Sequence, residues 1–368
     1  MWFLRTVIIF LAVRATEGAT RPNIVVFMPD DMGFIFPEAP RSNVEESFMP
    51  SPSLIPHMYR VRKEGAVFQS AYVSGPKCAP SRFSVLTGRY CSRGIYARST
   101  ATVETDGQER FRINVPQCKL AGLDEFNNLQ SVLSTNGYAT IHSGKWHLAP
   151  SSVATYETDY AEAVAAVNNT GFSDVAAVYI ENVGNSLNFS HNLEWMTSTA
   201  LDKVEAAVDK NQPFFLYFAP TTPHAPSSTV AIKKPLRLTP AGWLDSDPDS
   251  GMPDRSTVLD RRVIGPFRDE SVGTIWTDDA LGAIIAKLEA LDIWDNTILV
   301  VTMDHGVIAK DTLYEEGVRV ALFVKGPNVI AGINVSHAVT NLDLLPTLLE
   351  AAGLGISCRI GLLCNYYC

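Results

Sequence analysis

Short apolar runs alternate along this chain with stretches of helical periodicity, the pattern of an α/β domain whose sheet is largely parallel. Asn23 to Met28 reads as a buried strand leading into Asp30 and Asp31. Leu54 to Glu64 reads as a helix, Ala66 to Val73 as a strand, and Leu129 to Thr135 as a helix that stops before Gly137 and a strand from Tyr138. Met196 to Asp209 is amphipathic, Phe214 to Ala219 is a continuous apolar strand, and Ser271 to Leu291 is the longest helix. Thr297 to Thr302 is a further buried strand, running almost directly into Asp304 and His305. This order predicts a large mixed, mostly parallel sheet flanked by helices. Ligand sites in such sheets form at the carboxyl ends of strands, where Asp30-Asp31 and Asp304-His305 both fall. From Ser227 to Phe267 the pattern lapses into prolines and the run Asp245-Ser246-Asp247-Pro248-Asp249, which reads as a long surface excursion on one domain.

The chain has 368 residues, 46% of them hydrophobic and 19% charged, which excludes a disordered chain and allows one large domain. A net charge of −9 argues against a protein that coats nucleic acid or anionic lipid, though it says nothing about a local pocket. The beginning of the chain reads as a secretory signal over residues 1–19: a positive start, an apolar run from Thr6 to Val13, then small residues from Ala15 to Ala19. Arg14 ends the run short of the roughly 20 apolar residues that a spanning helix needs, so no membrane span is expected. Asn168-Asn169-Thr170, Asn188-Phe189-Ser190 and Asn334-Val335-Ser336 fit the glycosylation triplet. Of the six cysteines, Cys358, Cys364 and Cys368 crowd the tail, where a small disulfide knot is expected with Cys91 or Cys118 as remote partners. The pairing stays open at this point.

The sixth cysteine belongs to the most specific string in the chain, Cys78-Ala79-Pro80-Ser81-Arg82, continued by Leu86-Thr87-Gly88-Arg89. A chance C-x-P-x-R is expected about 0.02 times in a chain of this composition. Taken by itself the string is a thiol in a proline-punctuated turn, with an arginine projecting from the first turn of a helix. A lone buried cysteine is ordinarily structural. Asp30, Asp31, Asp304 and His305 could converge on one hard cation, although an Asp pair after a strand is ordinarily a helix cap. Lys145, His147 and His224 all follow predicted strands, in loops where a scaffold presents groups to a ligand. With Arg82 and Lys310 they would line a strongly cationic pocket suited to a small tetrahedral anion.

Read in order, these strings resemble the sulfatase family, whose C-x-P-x-R cysteine is oxidised to formylglycine in the endoplasmic reticulum. The resemblance runs from Arg21-Pro22-Asn23 through Gly137-Tyr138-Ala139-Thr140, Gly144-Lys145-Trp146-His147-Leu148, Thr222-Pro223-His224-Ala225-Pro226 and Asp304-His305-Gly306 to Gly317-Val318-Arg319-Val320. It implies an alkaline-phosphatase-like fold and hydrolysis of an aryl or carbohydrate sulfate ester. It also implies calcium at Asp30, Asp31, Cys78, Asp304 and His305, and a formylglycine-generating enzyme as biosynthetic partner. Cys78, once oxidised and hydrated, would supply the nucleophile and Arg82 would hold it. Lys145 and Lys310 would neutralise charge, His224 would protonate the leaving oxygen, and His147 would help to deprotonate the second hydroxyl of the hydrate so that sulfate can leave. The resulting domain plan is a signal at 1–19, a catalytic domain at 20–353 and a Cys-rich tail at 354–368, in a secreted or lysosomal protein.

The sequence departs from the family mildly at Ala149, Glu316 and Ala321, and more markedly in two places. Only four residues separate His305 from Lys310, where the family usually has a longer loop, so the sequence leaves open where Lys310 falls. Little follows Gly353, where family members usually continue into a smaller C-terminal subdomain. Two other readings stand beside sulfate hydrolysis: a related metal-dependent phosphoesterase or phosphonate hydrolase, and an inactive secreted relative that binds sulfated glycans. The cysteine favours sulfate, because phosphatases of this superfamily use Ser or Thr there. Substrate choice would reside in the loops 94–117, 151–192 and 227–267, where Trp243 sits; Trp195, Trp243 and Trp276 are candidates for stacking on a ring.

Overall fold

The computed structural model describes residues 21–33, 52–94, 102–105, 111–114, 118–120, 128–150, 152, 159–184, 187–263 and 268–355. The expected signal and the three tail cysteines lie outside the described residues. The strands are β1 (Asn23–Phe27), β2 (Ala66–Tyr72), β3 (Thr102–Thr105), β4 (Phe111–Asn114), β5 (Ala139–Lys145), β6 (Asp174–Tyr179), β7 (Phe214–Ala219), β8 (Leu238–Thr239), β9 (Gly242–Trp243), β10 (Thr297–Thr302), β11 (Leu322–Lys325) and β12 (Asn334–Thr340). The α-helices are α1 (Pro56–Glu64), α2 (Cys78–Thr87), α3 (Leu129–Thr135), α4 (Tyr160–Asn168), α5 (Leu193–Asp209), α6 (Ser228–Ala231), α7 (Arg255–Arg261), α8 (Arg268–Ala290), α9 (Glu315–Val318) and α10 (Leu344–Ala351).

Eight strands form one sheet in the order β12-β2-β11-β10-β1-β7-β5-β6. β1 pairs parallel with both β10 and β7, β5 pairs parallel with β7 and β6, and β12 pairs parallel with β2. Only β11 runs against its neighbours in this sheet. The central strands are buried at every position, as parallel strands covered on both faces must be. Helices α1, α5 and α8 pack as one set beside the sheet, and α2, α3 and α10 pack as another. Local chemistry fixes several ends. Asn128 accepts a hydrogen bond from the Ser131 amide within a capping box on α3, Asn192 accepts one from the Trp195 amide on α5, and Gly88 stops α2 in the left-handed conformation.

The excursion at 227–267 is less irregular than its sequence suggests, since it holds α6, the small β8–β9 hairpin and α7. Its anchor is Arg255, whose guanidinium donates to Glu194 on α5 at 2.8 and 2.5 Å, while the Trp276 indole donates to the same carboxylate at 2.9 Å. Buried Trp195 and Trp276 are therefore packing residues rather than stacking platforms, and among the three only Trp243 is exposed. Cys91 and Cys118 are bonded to each other, which replaces the expectation that either one partners the tail.

Helix α1 has no side-chain cap of its own, because Ile55 occupies its N-cap. Asp278 of α8 supplies one across the fold, accepting the His57 amide at 3.0 Å and the Met58 amide at 2.8 Å. Burial pushes this carboxyl up to about 7. The folded chain therefore holds a proton that an ordinary carboxyl releases near pH 4, and this contribution to stability is lost as pH rises from about 4 through about 7. Asp278→Asn is expected to flatten the dependence of Tm on pH across that window, read by differential scanning calorimetry. Identical slopes in the two proteins would contradict it.

Candidate active site

The loops that leave the carboxyl ends of β1, β5, β7 and β10 converge on one edge of the sheet. There β1 delivers Asp30 and Asp31, β5 delivers Lys145 and His147, β7 leads to His224, and β10 leads to Asp304 and His305. The turn after β2 delivers Cys78 as the first residue of α2, so its side chain sits at the amide-rich, positive end of that helix. Close backbone approach at this edge demands glycine. A Cβ on Gly144, which has φ +112°, would collide with the Ala219 carbonyl of β7, and one on Gly306 would collide with the Glu316 carbonyl. Asp31 and His147 themselves adopt positive φ, 55° and 59°, a cost that functional sites commonly carry.

Arg82 is fully buried and ties two strands together. Its Nη2 donates to Asp30 Oδ1 and to Asp304 Oδ2, each at 3.2 Å, and Nη1 donates to the Lys145 carbonyl at 3.4 Å. Lys145 Nζ donates to the second Asp30 oxygen at 2.6 Å. Burial opposes ionisation of Asp30, yet the Lys145 and Arg82 cations hold its carboxyl well below the usual range. Asp31 receives Lys310 Nζ at 2.7 Å and lies 2.9 Å from His305 Nε2, and despite its burial it is lowered to about 2, with the His305 contact the largest opposing cause. His305 Nδ1 lies 2.9 Å from the Gly306 carbonyl, which turns Nε2 toward Asp31 and toward Cys78 Sγ at 3.3 Å. Burial works against a charge on His305, but Asp304 and Asp31 push it up to about 11. Burial, then Asp30 and Asp304, push the Cys78 thiol up.

The short step from His305 to Lys310 brings the lysine into the centre, with Nζ 3.8 Å from Cys78 Sγ. The next residue explains how: the Asp311 amide donates to the Pro76 carbonyl at 3.1 Å and its carboxylate meets Lys77 at 3.3 Å, so the loop is fastened to the turn that carries Cys78. His224, flanked by two cis X-Pro peptides, has its amide on the Asp30 carbonyl at 3.1 Å and its Nε2 3.7 Å from Asp31. His147 lies to one side, with Nε2 3.0 Å from Glu181.

Asp31, Cys78, Asp304 and His305 each offer one donor atom, all within 4.8 Å of one another. Two carboxylates and an imidazole whose Nε2 faces them fit a divalent cation, which would take the place of the proton there, and replacing the sulfur by oxygen would make the set harder. Asp30 stands beside this group rather than in it, since its oxygens are held by Arg82 and Lys145.

Three residues here were not picked out by sequence reasoning. Glu181 and Lys119 belong to the surroundings of His147, and fully buried His191, lowered to about 4 by burial, braces the His224 loop through Thr221 Oγ1 at 2.8 Å and the Pro226 carbonyl at 3.0 Å. The signal for Glu181 was the run Asp174 to Ile180, which read as a strand would have placed the carboxylate at this same edge.

A family model described as Sulfatase matches residues 22–354. Arylsulfatase K of Homo sapiens is 24% identical over 384 residues, an alignment covering 92% of this chain and 64% of that protein. N-acetylgalactosamine-6-sulfatase of Mus musculus is 27% identical over 382 residues, covering 94% of this chain and 65% of the relative. The chain thus spans just under two thirds of the length of these curated relatives. Among solved structures, Ps i-CgsB in complex with k-i-k-neocarrahexaose superposes with a TM-score of 0.61 at 22% identity, over 92% of this chain and 73% of that one. That likeness shows the fold, a mostly parallel α/β sheet flanked by helices.

Removing the Arg82 cation would leave Asp30 and Asp304 facing each other in a buried space, a loss of about 3–5 kcal/mol for a broken buried pair. Arg82→Met is expected to lose stability on that scale in urea unfolding with chelator present. Part of the loss should return on adding a divalent cation. A change below about 1 kcal/mol would contradict the charge compensation described above.

Proposed function

We propose, on the premise that this chain belongs to the sulfatase family, that it hydrolyses a sulfate ester of a sugar or an aryl alcohol at the centre built around Cys78. The observation that carries this reading is the convergence on Cys78 of a four-donor cluster with Arg82, Lys145 and Lys310 close by. A sulfate monoester is a compact anion, and a buried group of fixed cations suits its oxygens better than water does.

The residues divide the work by position. Lys310, 3.8 Å from Sγ, would sit against a sulfate oxygen, and Lys145 from beneath would neutralise charge that builds up in the transition state. Arg82 has no freedom to leave its two carboxylates, so its part is to hold the Cys78 helix and the strand ends in register. His224 is partly exposed, with Nδ1 2.7 Å from the Ala225 carbonyl and Nε2 3.7 Å from Asp31, and its Nε2 would protonate the departing alcohol. His147 would take a proton from the nucleophile's side. A divalent cation held by Asp31, Asp304 and His305, with Asp30 adjoining, would draw charge from the sulfate and lower the barrier to attack. Calcium suits these oxygens best. The formyl group made by oxidising Cys78 would supply, through its hydrate, a nucleophile with a second hydroxyl, a feature that no serine offers.

Secretory routing, glycosylation at the exposed Asn168, Asn188 and Asn334, and dependence on a formylglycine-generating enzyme belong to the same reading. So does the domain plan with a catalytic unit at 20–353. No helix among the described residues is long and apolar enough to cross a membrane. The names of the relatives favour an aryl or amino-sugar sulfate as substrate.

The test compares 4-nitrophenyl sulfate with 4-nitrophenyl phosphate, using protein made in cells that form formylglycine. Sulfate should turn over faster, chelation should abolish turnover with calcium restoring it, and Cys78→Ala should lower kcat by about 1,000-fold or more. Faster hydrolysis of the phosphate would overturn the reading in favour of a phosphoesterase.

A further inference from the structure

Sequence and family resemblance leave His147 without a partner, and the structure gives it one. His147 Nε2 lies 3.0 Å from Glu181 Oε2, and the other oxygen of that carboxylate receives Lys119 Nζ at 3.3 Å. The backbone enforces the pairing: the Trp146 and His147 amides donate to the Tyr179 and Ile180 carbonyls at 2.8 and 3.0 Å, extending the β5–β6 ladder past its last strand residues. Lys119 is itself delivered by a pinned segment. The Cys91–Cys118 disulfide fixes one side of it, and the Leu120 amide, donating to the Leu148 carbonyl at 2.8 Å, fixes the other. Lys119 is buried to 1% exposure, so its ammonium is committed to this site rather than to solvent.

The imidazole's other nitrogen, Nδ1, is buried without a hydrogen-bonding partner among the described residues. A carboxylate accepts but does not donate, so Glu181 selects the tautomer with the proton on Nε2 and leaves a lone pair on Nδ1.

We propose that Glu181 is a positioning residue that acts through His147: it holds the imidazole as the Nε2–H tautomer, so that Nδ1 is the atom that takes the proton, and Lys119 orients the Glu181 carboxylate. This rests on the sulfate-ester reading of the site. In the step concerned, an O–H bond on the nucleophile's side breaks and its electron pair stays on oxygen. The proton forms a bond to Nδ1, and the resulting imidazolium keeps its Nε2–H on Glu181 until Nδ1 returns its proton to water. The groups that face His147 are Lys145 on its own strand, Asp30 from β1, Glu181 beyond β6, and Lys119 behind Glu181. Burial and Lys145 hold the imidazole neutral, while Glu181 and Asp30 favour its cation. Loss of the Glu181 charge therefore makes His147 a weaker base, and the acid limb of a rate profile should move to lower pH.

The experiment uses the full chain labelled with 15N-histidine and assigns His147 by its absence in His147→Gln. In the wild type, two-bond 1H–15N correlations are expected to show His147 neutral with the proton on Nε2. Glu181→Gln, which keeps the shape, should lower kcat for 4-nitrophenyl sulfate about 10–100-fold with little change in KM. It should also move the acid limb down by about one pH unit. Lys119→Met should shift both in the same direction by less. A wild-type His147 protonated on Nδ1, or a Glu181→Gln protein with unchanged kcat, overturns the proposal. A wild type with no sulfatase turnover contradicts the reading of the site, and the tautomer spectrum then decides the Glu181 contact by itself.

Discussion

Everything at this site depends on compensation of buried charge. Asp30 and Asp304 approach each other at the ends of adjacent parallel strands, both buried and both bonded to the Arg82 guanidinium; Lys145 and Arg82 hold Asp30 well below the usual carboxylate range, while burial pushes Asp304 up. That single requirement orders the rest. Arg82 lies four residues along α2 from Cys78, so placing its guanidinium between β1 and β10 also fixes the helix whose first residue is Cys78. Lys145 closes the second oxygen of Asp30, and Lys310 and His305 close Asp31. The cations Arg82, Lys145 and Lys310 are each bonded to a carboxylate of the site, so positive and negative charge are gathered there together. A net charge of −9 for the chain does not conflict with that, since the relevant field is local.

Much of this was legible in the sequence, and for a definite reason. Parallel strands buried on both faces read as unbroken apolar runs, and the residues just beyond each run must sit at one edge of the sheet. Periodicity therefore put Asp30, Asp31, Lys145, His224, Asp304 and His305 at strand ends, and the resemblance to the sulfatase motifs is what joined them into one site. The central strands at 214–219 and 297–302 fell where the pattern put them. What periodicity misses is the sheet's flanks. β12 is exposed along most of its length and β6 is only half buried, so neither carries a continuous apolar signal. Glu181 was missed because β6 was missed. Lys119 and His191 were missed because their partners, Glu181 and the carbonyl of Pro226, lie 62 and 35 residues away, distances over which sequence pattern carries no information.

The loop from His305 to Lys310 teaches a related lesson. Counting residues suggested a step shorter than the family usually has, and counting gives no direction. Asp311, held at positive φ with its amide on Pro76 and its carboxylate near Lys77, turns the short loop back over the Cys78 turn. The Cys91–Cys118 bond works in a comparable way, stabilising a segment whose useful product is the cation at Lys119. Long-range fastenings of this kind convert approximate placement at a sheet edge into contacts of about 3 Å.

The central claim is that Cys78 is a precursor rather than a working thiol, and it is tested most directly at the residue itself. Peptide mass spectrometry across Cys78-Ala79-Pro80-Ser81-Arg82, on protein made in cells that form formylglycine, should show the aldehyde in place of the thiol. It should show unmodified peptide when Pro80 or Arg82 is replaced. Finding only intact cysteine in the wild-type chain would contradict the account.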